Sequence, residues 1–242
     1  MFVPDRGSDR VYVYAVDGPG SVHEIRNITL PPGTGPRHIA FQVLNETRTF
    51  MYLVSELDNT LRLFALDGVS NSERDAEHQS HTWAGSSRHW RGAQRKDLEI
   101  TPIQTISTIG LTGADVRTQP NNTDLAAEVA ISSDNRFAYV SNRHTTSFDS
   151  DTLAVFAIDL QAAEPLTYIG ANATYGKIPR HFSLSDLRNG DSYVAVGNEV
   201  TNNLVLFERD TETGFMKDVV GKLELGMLDL TQKMGPTCVV WA

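Results

Sequence analysis

Two tripeptides repeat in this chain, Pro36-Arg37-His38 within GPRHIAF and Pro179-Arg180-His181 within IPRHFSL. Each sets a guanidinium beside an imidazole at the start of an apolar run. A guanidinium fork grips a carboxylate or phosphate through two parallel hydrogen bonds and can stabilise a developing oxyanion. Imidazoles and carboxylates move protons. The carboxylates stand in related places: Glu56 closes the apolar run YLVSE, as Arg143 closes YVSNR, and Glu128 of AAEVAIS takes the slot that His38 and His181 hold in their segments. This residue set suits a small anionic substrate held by arginines while an acid or base acts on it.

The elements that must position these residues are strands. Four segments align on their own residues: FVPDRGSDRVYVYAVD from Phe2, YLVSELDNTLRLFALD from Tyr52, YVSNRHTTSFDSDTLAVFAID from Tyr139 and VAVGNEVTNNLVLFERD from Val194. Each is an apolar run, a polar turn, an alternating run such as Val11-Tyr12-Val13-Tyr14, then an acid, the pattern of a β-hairpin. A further strand precedes the later three hairpins (GPRHIAF, AAEVAIS, IPRHFSL), and GPTCVVWA from Gly235 is a fourth copy with no hairpin after it. Aligned with one another, these segments bring His38, Glu128, His181 and Cys238 into one slot. Another β-like segment, such as VHEIRNITL or LEITPIQTI, follows the hairpin.

Four strands recurring about every 50 residues describe β-propeller blades, which bury their faces only against neighbouring blades. The predicted fold is all-β, a single propeller domain over residues 1–242 with about four blades. Pro36 and Pro179 suit the first position of an innermost strand, where no N–H is needed. By alternation His38 and His181 turn into the blade, towards inter-blade hydrogen bonding. The first interval between inner strands is longer than the others, and SNSERDAEHQSHTWAGSSRHWRGAQRKD, residues 70–97, is read as a surface loop insertion.

Composition removes several classes. Of 242 residues, 40% are hydrophobic and 21% charged, ordinary for a soluble domain. A net charge of −9 argues against nucleic acid. The single cysteine, Cys238, rules out an internal disulfide framework or a thiolate metal cluster. No apolar run is long enough to span a bilayer, so no membrane partner is expected. The charged N-terminus MFVPDRGSDR is no signal peptide and points to a cytoplasmic protein, whereas sequons at Asn27, Asn45, Asn121 and Asn172 fit secretion of a longer form. There is no G-x-S-x-G elbow, P-loop or H-E-x-x-H motif.

With these segments in order, the chain resembles the seven-bladed propeller lactonases, which include 6-phosphogluconolactonases and carboxymuconate lactonizing enzymes. The matching residues are Gly35-Pro36-Arg37-His38, Ser55-Glu56-Leu57-Asp58-Asn59, Ala126-Ala127-Glu128, Ser133-Asp134-Asn135-Arg136, Ser141-Asn142-Arg143, Pro179-Arg180-His181 and Gly235-Pro236-Thr237-Cys238. The resemblance implies a lactone hydrolase without metal or cofactor, acting on a small anionic lactone or polycarboxylate. It implies catalytic roles for Glu56, Arg37 and Arg143, with Arg180, His38, Glu128 and His181 as substrate-binding candidates beside their architectural reading. Four blades against seven, and no counterpart of a histidine the family carries upstream, imply an N-terminally shortened chain, a partial propeller left as an open arc with unpaired terminal edges.

Three functions remain open at this point: lactone hydrolysis, lactone formation from a carboxymuconate, and a non-catalytic propeller. A calcium site like that of six-bladed lactonases, drawn from Glu56, Asn142, Asn198 and Glu199, is a lesser alternative, disfavoured by arginines at the same mouth.

Overall fold

Strands with both faces buried read as unbroken apolar runs, and here they form the middle of the second sheet, Arg48–Ser55 and Thr60–Asp67, and of the third, Phe137–Arg143 and Thr152–Ile158. A computed structural model describes residues 1–45, 47–68, 98–112, 124–143, 150–185, 190–226 and 235–241. The insertion at residues 70–97 lies outside them, as does Asn121. The first sheet contains β1 (Phe2–Asp5), β2 (Arg10–Gly18) and β3 (Ser21–Thr29). The second contains β4 (Pro36–Val43), β5 (Arg48–Ser55), β6 (Thr60–Asp67) and β7 (Glu99–Ser107). The third contains β8 (Leu125–Ile131), β9 (Phe137–Arg143), β10 (Thr152–Ile158) and β11 (Leu166–Ala173). The fourth contains β12 (Pro179–Leu184), β13 (Tyr193–Asn198), β14 (Asn203–Arg209) and β15 (Met216–Glu224). All are antiparallel meanders: three four-stranded blades and one of three strands lacking the innermost.

The cores lie between blades. On β5, Met51 and Leu53 pack towards blade one with Val11 and Leu30, while Tyr52 and Val54 pack towards blade three with Ala138, Val140 and Phe156. On β9, Tyr139 turns the other way, to Phe182, Val196 and Phe207 of blade four. Period-two alternation thus serves two interfaces from one strand.

Polar side chains tie each blade to the next. The residue just before the third strand of a blade reaches the start of the next inner strand. Asp9 accepts hydrogen bonds from Gly33 N–H and Gly35 N–H at 2.7 Å each. Asn59 accepts one from Ala126 N–H at 2.7 Å and donates to Asp124 O. Asp151 accepts one from Ile178 N–H at 2.7 Å. At the outer edge, Gln104 exchanges two hydrogen bonds with the backbone of Leu166, and Asn172 does the same with Met216. One sequon asparagine is therefore a blade fastener.

The C-terminal segment departs from expectation in detail. Residues 235–241 form no ladder, but they lie along β12: Val239 N–H meets His181 Nδ1 at 3.3 Å and Trp241 Nε1–H meets Ser183 O at 3.2 Å. No pairing of this segment with β1 occurs among the described residues, so the blades form an open arc.

Candidate active site

The inner strands carry a backbone irregularity where their charged residues sit. Pro36 pairs with Ser55 and His38 with Val54, so Arg37 is an extra, bulged residue. Pro179, Arg180 and His181 repeat the pattern against Asn198 and Gly197. In β8 the register slips between Ala126 and Val129, across Ala127 and Glu128. A bulge bends the strand and re-aims its side chains. His38 and His181 leave the plain in-and-out order at these bulges, yet both turn to a neighbouring blade as expected, reaching Glu128 across blade boundaries.

A second position of matched register lies at the end of each second strand. Arg6, Glu56, Arg143 and Glu199 each follow the last pair of their hairpin, Asp5 with Arg10, Ser55 with Thr60, Asn142 with Thr152 and Asn198 with Asn203. Successive blades thus present positive, negative, positive and negative side chains in one slot. Arg6 is the member that motif reading missed, although its place after the first strand of FVPDRG was the available signal. Gly35 joins the two positions. Its carbonyl accepts Glu56 N–H at 2.8 Å while its left-handed φ of 62° leads the chain into Pro36-Arg37. Ile178 makes the equivalent bond to Glu199 N–H at φ 61°, a conformation that branched residues rarely bear.

Three arginines converge on Glu56. Arg143 Nη2 lies 2.9 Å from Oε1, and Arg37 Nε lies 3.2 Å and Arg6 Nε 3.4 Å from Oε2. The carboxylate is buried, as is Arg143; Arg37 is partly buried and Arg6 largely exposed. Backbone carbonyls complete the anchoring, with Arg37 Nη1 donating to Ala127 O at 2.6 Å and Arg143 Nε to Leu125 O at 3.2 Å. Burial first, then the Arg143 cation, press the Arg37 pKa below its ordinary value, opposed by Glu56 and Glu128. Such a guanidinium favours an incoming anion, which supplies the missing negative charge.

Arg180 stands apart from this knot and pairs with Glu199 at 3.2 Å, repeating the Arg37–Glu56 pair two blades away. Glu128 forms a second buried centre. Its Oε2 lies 2.5 Å from His38 Nδ1 and 3.5 Å from His181 Nε2, and its Oε1 accepts Val129 N–H at 3.0 Å. All seven candidates therefore lie on the inner strands or the adjoining strand ends, in two carboxylate-centred groups and one separate pair.

Of the residues of the lesser calcium alternative, the two acids, Glu56 and Glu199, are engaged by arginines. Asn142 and Asn198 donate their amide N–H groups to Thr108 O and Thr174 O and leave their Oδ1 atoms unbonded among the described residues. Among the described residues no cluster of three or more histidine, cysteine or acidic side chains is arranged to hold a metal ion. Likewise no helix there is long and apolar enough to cross a membrane.

The family model described as "Lactonase, 7-bladed beta-propeller" matches residues 1–241. The chain belongs to the seven-bladed β-propeller lactonases. Within this lactonase family it is 30% identical over 210 residues to 6-phosphogluconolactonase of Bacillus subtilis, covering 87% of this chain and 47% of that protein. To 6-phosphogluconolactonase of Formosa agariphila it is 24% identical, covering 92% of this chain and 51% of the relative. Among solved structures, a periplasmic gluconolactonase of Pseudomonas aeruginosa superposes with a TM-score of 0.63 at 26% identity, covering 93% of this chain and 51% of that one. The chain thus spans about half the length of the lactonases it matches.

Proposed function

We propose that this chain binds and hydrolyses a sugar lactone carrying an anionic group, such as 6-phosphogluconolactone. The observation that carries the reading is the convergence of Arg37, Arg143 and Arg6 on one buried carboxylate, with Arg180 on the inner strand two blades away. Arginines at such a site serve two ends. One holds a phosphate or carboxylate through its fork, and another stabilises the oxyanion formed when water adds to the lactone carbonyl. Both Glu56 oxygens face guanidiniums, so this carboxylate orients the arginines for that work. The named activities of the Bacillus, Formosa and Pseudomonas relatives support the reaction class.

The test is hydrolysis of 6-phosphogluconolactone and of the uncharged gluconolactone by the chain. Wild type should prefer the phosphorylated lactone. Arg37→Lys keeps the charge and loses the fork, so kcat/KM should fall tenfold or more, about 1.4 kcal/mol, with little change in melting. Equal rates on both lactones, unaltered by Arg37→Lys, would show that the arginine cluster does not read an anion.

A further inference from the structure

Water added to a lactone must lose a proton, and the ring oxygen that leaves must gain one. Glu56 is ill placed for either transfer, because both its oxygens are occupied by arginines. Resting on the lactonase reading above, we infer that His38 is the general base and acid of this site, positioned by Glu128 and backed by His181.

Three adjacent inner strands build the group, β4, β8 and β12, one residue from each. Glu128 is 8% exposed, and its Oε2 is shut from solvent and receives no in-line N–H. That oxygen faces His38 Nδ1 at 2.5 Å, and the His38 side chain is 40% exposed. The buried carboxylate therefore abuts one nitrogen of the ring without an in-line hydrogen bond, and Nε2 is the nitrogen left to act on substrate. A carboxylate at that distance stabilises the imidazolium that forms when the ring takes a proton. His181 plays a different part. Its Nδ1 accepts Val239 N–H, so its proton resides on Nε2, which faces Glu128 at 3.5 Å.

The other charged side chains on these three strands are Arg37, beside His38 on β4, and Arg180 on β12; opposite His38 on β5 stands apolar Val54. Arg37 also ties the group to the arginine cluster, since its guanidinium binds Ala127 O beside Glu128. The step then balances. His38 Nε2 takes a proton from water as the water oxygen bonds to the lactone carbonyl carbon, and the arginines hold the oxyanion. Collapse breaks the ring C–O bond, and the imidazolium returns its proton to the ring oxygen, giving the open hydroxy acid.

The experiment compares wild type, H38Q, H38A and E128Q of the full chain by kcat, KM and pH–rate profile on 6-phosphogluconolactone. H38Q should lose about 100-fold or more in kcat with KM within about threefold, and the lower limb of the kcat profile should vanish. Added imidazole should restore part of the activity of H38A, which a purely structural histidine would not permit. E128Q, which keeps His38, should lower kcat and alter that same limb. The assignment is overturned by an H38Q enzyme with wild-type kcat and an intact lower limb, or by an E128Q enzyme with an unchanged profile. In either case the lactonase reading stands, provided Arg37→Lys still impairs hydrolysis. A wild type that turns over no lactone overturns both.

Discussion

Replacing Glu56 by Gln takes one negative charge from among three guanidiniums while barely changing shape. Arg6 is over half exposed, so its contact with Glu56 is worth little. The loss falls on Arg37 and Arg143, at 3.2 and 2.9 Å from a carboxylate that is 8% exposed. Removing one partner of a buried pair costs about 3–5 kcal/mol, because the opposite charge stays buried. Glutamine keeps a carbonyl oxygen that can accept from one arginine, so the lower end, about 3 kcal/mol, is expected. For a chain of this size, a fall of roughly 6–12 °C in melting temperature follows. The assay is thermal unfolding with and without inorganic phosphate. Phosphate restores negative charge among the arginines, so it should raise the melting point of the variant more than that of wild type. A shift under about 2 °C, equal phosphate effects on both proteins, and full activity would together refute the role of Glu56 as the hub of the arginines.

Arg180→Lys should contrast with Arg37→Lys: paired with Glu199 among the described residues and more exposed than Arg37, it should change kcat/KM only modestly in the same assay and act chiefly on melting. Gly35→Ala should be severe, because φ is 62° there and an added Cβ would lie 2.5 Å from Leu57 Cγ; a melting point and activity both at wild-type level would count against the junction described here. Asp9 has its pKa held down by Gly35 N–H and then Gly33 N–H. A depressed carboxylate stabilises fully above its unfolded pKa, and that contribution is lost as pH falls through the lower folded value. Asp9→Asn should therefore cost about 1 kcal/mol at neutral pH, and less in acid, as read by denaturant unfolding; an equal loss at both would refute the linkage.

Much of this protein follows from sequence because its information is local. The alternation in Val11-Tyr12-Val13-Tyr14 and Leu204-Val205-Leu206-Phe207 specifies strands, and the spacing of the hairpins specifies blades. The position of Pro36 and Pro179 specifies where the inner strands begin. The equivalence of Glu56 and Arg143 was legible for the same reason, since each ends a second strand at one register, and Arg6 was equally within reach.

Tertiary structure decided which of these residues meet. Arg143 leaves its own blade for Glu56, whereas Arg180 stays on its own blade with Glu199. Glu128 gathers two histidines from strands on either side, 90 residues before it and 53 after. Alternation cannot foretell this, because the bulges at Arg37, Arg180 and Ala127-Glu128 arise from pairing with the second strand of each blade. A residue count along one strand contains no trace of that pairing, nor of the packing of Tyr52 against Val140 or Tyr139 against Phe182 that sets how closely neighbouring inner strands approach.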